Sequence, residues 1–138
     1  MKKITTILLV IVALCTMIIP AYASENEVTP RFNNTLQVTT SFNIESDGLA
    51  VASYSFFGYA GITTKVVISS KIEKKFLWWW NDVDGAEWID EIEDDDYAGN
   101  HTYQLTKSGM YRLVYEYTVY GTGGDPDVIS NNIEKEYK

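Results

Sequence analysis

From Leu36 to Tyr137 apolar residues return at every second position in run after run, and no stretch beyond the first two dozen residues carries the three-to-four-residue period of an amphipathic helix. A chain patterned this way has one economical way to hide its apolar side chains: strands that turn alternate faces toward a shared interior. Leu36, Val38, Thr40, Phe42 and Ile44 share one face of a first strand, and Glu45-Ser46-Asp47-Gly48 supplies a turn into a second strand, Leu49 to Phe57. Thr63 to Phe76 reads as a third, with Val66, Ile68 and Ile72 to one side, and Trp88 to Ile92 and His101 to Leu105 as shorter ones. The clearest is Tyr111 to Tyr120, with Tyr111, Leu113, Tyr115, Tyr117 and Val119 on one face; a glycine-rich loop, Gly121 to Gly124, leads to a last strand near Val128 to Tyr137.

About seven strands separated by turn signals predict an all-β fold, an antiparallel β-sandwich of the immunoglobulin-like or fibronectin type III-like kind. The pair Leu105 and Tyr111, just ahead of the longest aromatic strand, resembles the tyrosine corner of those domains, although Lys107 stands where a proline is usual.

The N-terminus carries an address. Lys2 and Lys3, an apolar run from Ile4 to Ile19, Pro20 and then Ala21-Tyr22-Ala23 have the layout of a cleaved signal peptide, and the run is short for a membrane span. The expected organisation is a signal peptide over 1–23, an extended lead-in over 24–34 and one sandwich domain over 35–138. A secreted, extracellular product follows, with no stable membrane insertion after cleavage.

Cleavage removes Lys2, Lys3 and the one cysteine, Cys15. Nine cationic residues then face nineteen acidic ones, a formal charge of −10, so nucleic acid is not an expected partner. A domain of this size can build one adequate core without disulfides.

Two segments stand out. Phe76-Leu77-Trp78-Trp79-Trp80, read as an extended chain, points Phe76, Trp78 and Trp80 one way and Leu77 and Trp79 the other, so a sandwich core can absorb only one set. The rest either packs under a loop or, with Trp88, forms an aromatic strip for an extracellular ligand: a glycan, a peptide or a surface protein. The second segment, Asp82 to Asp96, holds nine carboxylates and no basic residue. A hairpin would set part of this charge opposite Lys65, Lys71, Lys74 and Lys75, at about 0.2–1 kcal/mol per pair. The alternative is calcium, with Asp82, Asp84 and Glu91 spaced as three ligands of an EF-hand-like loop that lacks its first ligand. No other cofactor is implied. Asp125 and Asp127, split by Pro126, are a weaker calcium candidate and read rather as a turn.

Catalytic inventory is thin. His101, the one histidine, reads as a surface or turn residue, and neither G-x-S-x-G nor H-E-x-x-H occurs. A two-carboxylate glycosidase would need a cleft that a small sandwich rarely offers. A non-enzymatic binding module is therefore the leading expectation, ahead of a self-assembling extracellular protein and a small glycan-active enzyme.

The lysine-bearing leader, Thr29-Pro30-Arg31-Phe32, the segment around Gly58-Tyr59, Ile72-Glu73-Lys74-Lys75 and Ser108-Gly109-Met110-Tyr111 together resemble small secreted proteins of Gram-positive bacteria. That resemblance implies a bacterial source, a fibronectin-like sandwich and an extracellular life. It carries over no ligand and no catalytic residue.

Overall fold

The structure, a computed structural model, describes residues 31–138; the expected signal peptide and most of the 24–34 lead-in lie outside the described residues. Seven strands follow in order: β1 (Thr35–Ile44), β2 (Leu49–Gly58), β3 (Thr63–Phe76), β4 (Trp79–Ile92), β5 (Asp96–Gln104), β6 (Gly109–Gly121) and β7 (Asp127–Tyr137). Every pairing is antiparallel, and the strands form a three-stranded sheet, β1-β2-β5, and a four-stranded one, β4-β3-β6-β7.

The inner faces are those the alternation marks. Phe42 of β1, Ala50, Ala52, Tyr54 and Phe56 of β2, Val66, Ile68 and Ile72 of β3, and Tyr111, Leu113, Tyr117 and Val119 of β6 form one buried cluster. Each large member contributes about 1.5–3 kcal/mol by leaving water, and truncating Phe42 or Phe56 to alanine would cost about 3–5 kcal/mol. Two tyrosines tie the layers together. The Tyr54 hydroxyl donates to Ser70 Oγ at 2.8 Å, and the Tyr117 hydroxyl lies 2.8 Å from Thr40 Oγ1. Burial pushes both phenols up to about 12, against the smaller opposing effect of those hydrogen bonds. At the β5–β6 connection, Leu105 is buried and the Tyr111 hydroxyl donates to the Lys107 carbonyl at 2.6 Å.

Several expectations change. Leu36 faces solvent, because a register shift between Thr35 and Gln37 turns the first residues of β1 over before the inward row begins at Val38. The short fourth strand expected over Trp88 to Ile92 is fourteen residues long, Trp79–Ile92, and absorbs most of the acidic run. It is interrupted between the rungs Lys71↔Glu87 and Glu73↔Asp82, where the extra residues bulge around Gly85 at φ 78°. The bulge drops Ala86 into the core and presents the Asp84 carbonyl to the Tyr103 hydroxyl of β5 at 3.0 Å, so β4 leans onto the opposite sheet.

Asp125 and Asp127 prove to be unlike each other. Asp127 starts β7 almost fully buried, and its carboxylate accepts the backbone N–H of Asn33 at 2.9 Å, that of Asn34 at 2.7 Å and the Thr35 hydroxyl at 2.9 Å. Asn34, also buried, donates its side-chain amide to the Asp125 carbonyl at 3.1 Å and accepts from the Gly123 N–H. This polar clasp fastens the start of β1 to the β6–β7 loop. Side chains there are excluded, since a Cβ on Gly121 would meet both Asn34 Oδ1 and the Ile62 carbonyl at 2.5 Å. Burial alone would raise the Asp127 carboxyl, but hydrogen bonds from the backbone of Asn33, Asn34 and Thr35 and from the Thr35 hydroxyl together outweigh it and hold the group below the usual carboxylate range.

Candidate functional site

The aromatic pentad is a turn and not a length of strand. Phe76, the last residue of β3, pairs with Trp79, the first of β4, and Leu77 and Trp78 form the two-residue connection between them. Antiparallel hairpins this tight require a positive φ at the first central residue, where glycine is usual; here Leu77 adopts it, at φ 56°. A branched side chain in that conformation costs about 1–2 kcal/mol. The hairpin that pairs the lysines with the acidic run thus reverses within the pentad itself, where an extended reading of the segment places no turn, and brings Phe76 and Trp79 together across the strands.

The tip is unusually apolar for a surface. Trp78 is 80% exposed, Leu77 64%, Phe76 57% and Trp79 38%. The rings support one another: Trp78 meets Trp79 edge to face with centroids 4.9 Å apart at 85°, and Phe76 meets Trp79 at 5.2 Å and 51°. Of the expected strip, then, Phe76, Trp78 and Trp79 converge at one point.

Trp80 lies next to the tip in a different setting. It is half-buried on the outer face of the four-stranded sheet, with the Arg112 guanidinium 4.4 Å and the Lys75 ammonium 5.6 Å from its ring centre. Arg112 is bonded in turn to Glu73, Glu73 to Lys71 at 3.0 Å, and Lys71 to Asp82 at 2.6 Å. The hydrogen bonds from Lys71 hold the Asp82 carboxyl low, while Asp82 and Glu73 raise the ammonium. This lattice fixes the base of the hairpin. Beyond it the same face forms an open hollow of about 670 Å³ lined by residues such as Ser69, Lys71, Glu87, Ile89, Val114 and Glu116.

Trp88 does not join the tip. Paired with Ser70, six residues of β3 from the Phe76↔Trp79 rung and roughly 20 Å away, it packs against the core and stacks flat on the His101 ring, with centroids 5.0 Å apart and an interplanar angle of 3°. His101 is correspondingly not a turn residue: it lies within β5, half-buried, its Nε2–H directed at Asp90 Oδ2 2.7 Å away and its ring against the edge of Tyr54. The Asp90–His101 bond ties β4 to β5 across the open side of the sandwich. With one nitrogen committed and one face covered, the imidazole serves as a brace between the sheets.

The calcium set is not gathered either. Because the run from Asp82 to Glu91 is strand, opposite Glu73 and Val67 of β3, these two carboxylates lie roughly 20 Å apart, Asp82 on Lys71 and Glu91 on Lys65 at 2.8 Å. Asp84 sits in the bulge, its carbonyl committed to Tyr103. Cross-strand pairing with the lysines of β3 is the arrangement the hairpin adopts. Among the described residues, the carboxylates that do approach one another are Asp94, Asp95 and Asp96 at the β4–β5 turn.

The chain matches no family model, no curated protein and no solved structure.

Proposed function

We propose that this protein is an exported, non-enzymatic contact module with an immunoglobulin-like or fibronectin type III-like sandwich, and that the β3–β4 tip is its contact element. The observation that carries the reading is the 80% exposure of Trp78, flanked by Leu77 and Phe76, on a turn that tolerates left-handed strain to display them. A folding sequence gains nothing from that arrangement. Glycine at the turn would relieve the strain, and polar residues would hydrate better.

For the finer fold assignment, the support is the strand order β1-β2-β5 opposite β4-β3-β6-β7 and the Tyr111–Lys107 bond across the corner. Relative to the constant-type immunoglobulin order, the fourth strand has changed sheets and pairs with the third. The non-enzymatic reading rests on the commitment of His101 to Asp90 and Trp88, and on the open form of the outer-face hollow.

The test is adsorption. The mature protein and its Trp78→Ala, Leu77→Gly variant are incubated with isolated bacterial cell walls, mucin and lipid vesicles, and bound protein is measured. Tip-dependent capture by at least one of these surfaces is expected; capture that is absent, or identical in the variant, contradicts the proposal.

A further inference from the structure

We propose that the tip seats in the headgroup layer of an anionic lipid surface, with the opposite, acidic end of the molecule turned toward solvent. The inference rests on the tip being the contact element and names its partner.

Shape decides first. The tip is convex and its rings interlock near right angles, so it presents no row of coplanar faces on which successive sugar units would stack. Phe76 to Trp80 itself offers a sugar's hydroxyls only indole N–H and backbone groups. A soft interface accepts a convex apolar wedge without needing a matching pocket, and indoles, apolar with one donor, favour the boundary between headgroups and acyl chains.

Charge points the same way. Between Glu73 and Asp82 the chain carries Lys74 and Lys75 and no carboxylate. The two flanking carboxylates are themselves neutralised, Glu73 by Lys71 and Arg112 and Asp82 by Lys71. The Lys74 ammonium lies 5.3 Å from the Tyr111 ring centre and that of Lys75 5.6 Å from the Trp80 ring centre, and neither is ion-paired with a carboxylate among the described residues, so both can turn to meet phosphates.

A strongly acidic protein should be repelled by an anionic bilayer, and the fold resolves this by segregation. Glu93, Asp94, Asp95 and Asp96 follow the far end of β4, past the rung Val66↔Ile92, whereas the tip closes the rung Phe76↔Trp79. Ten residues of strand separate these rungs, roughly 33 Å. Screening at physiological salt acts over about 8 Å, so the acidic turn is screened from a membrane at the tip; the carboxylates that share the tip's end, Glu45, Asp47, Glu134 and Glu136, are accompanied there by Lys107, Lys135 and Lys138, with Glu136 paired to Lys138 at 3.6 Å. The same separation orients the molecule on approach. Adsorption at the interface, without spanning, is the result.

The experiment uses the mature protein with vesicles of phosphatidylcholine alone and of phosphatidylcholine mixed with phosphatidylglycerol, reading co-sedimentation and the blue shift of tryptophan emission. Binding to the mixed vesicles with a blue shift is expected, along with quenching by lipids brominated in the upper acyl chain. Trp78→Ala should abolish the shift. Lys74→Gln with Lys75→Gln should weaken binding on the order of twentyfold, at roughly fivefold per lysine, and high salt should do the same; unchanged melting temperatures verify folding.

Three results would overturn the inference: no vesicle binding while tip-dependent capture by cell walls or mucin persists, vesicle binding indifferent to Trp78→Ala, or a lipid-free dimer that buries the tip. The first of these leaves the contact reading standing. Loss of tip-dependent capture on every surface removes both.

Discussion

The two ends of the sandwich are built on opposite principles. At one end Asp127 and Asn34 sit buried in a mesh of hydrogen bonds, with glycines at Gly121 and Gly123 because a Cβ would intrude on Asn34. At the other, the β3–β4 turn exposes its largest side chains and holds a leucine where glycine would be easier. Polar groups are buried where the chain is fastened, and apolar groups are exposed at the tip proposed to make contact. Fastening and display thus sit at opposite ends of β3, roughly 40 Å apart, so changes at the two ends should have independent and opposite consequences.

The largest effect is expected at the clasp. Asp127→Ala leaves the N–H groups of Asn33 and Asn34 and the Thr35 hydroxyl without their acceptor and should cost on the order of 3–4 kcal/mol in chemical denaturation, with tip exposure unaltered. An equal loss from Trp78→Ala would break the comparison.

Acid should act on the same end. The Asp127 carboxyl titrates lower in the folded protein than in the unfolded chain, so its contribution to stability is present above the unfolded value, near pH 4, and is lost as pH falls through the folded value. A stability profile measured from pH 6 downward should fall in that window, and Asp127→Asn should flatten the fall.

At the tip the sign reverses. Leu77→Gly removes a left-handed conformation from a branched residue and should stabilise the domain by about 1 kcal/mol, while weakening whatever contact the tip makes. Smallest of all, Trp78→Ala should change stability by less than about 0.5 kcal/mol, as exposed side chains do. A stabilised Leu77→Gly variant with intact surface binding would sharpen the account by shifting the contact onto Phe76 and Trp78 alone.

Much of the scaffold was readable from periodicity, and for a physical reason. Phe42, Val66, Ile68, Leu113 and Val119 lie on strands whose two faces meet different surroundings, so alternation records burial directly. Where the strand is bulged or its outer face is charged, the record fails. β4 was half hidden, since Gly85 breaks its phase and its carboxylates, set opposite lysines of β3, resemble a solvated loop. The β3–β4 hairpin is legible in the lysines and carboxylates it pairs, but the place of its turn is not, because Leu77 and Trp78 are not turn-forming residues and the reversal is imposed by the pairing of the long strands behind them. The clasp was invisible for the complementary reason. Asn33, Asn34, Asp125 and Asp127 carry the usual signature of loops, and only their meeting across more than ninety residues shows that two of them are structural. Phe76, Trp78 and Trp79 could be named from composition as an oddity, whereas excluding Trp88 required knowing that it lies flat against His101.

The most direct test of this division is the solvent accessibility of individual indoles. In a nitrogen-labelled sample, each of the four tryptophan N–H resonances, assigned by Trp→Phe substitution, is followed as a soluble gadolinium chelate is added. The account predicts that Trp78 broadens first and Trp88 last, and that Asp127→Asn leaves this order unchanged. A Trp78 resonance as protected as that of Trp88 would contradict it.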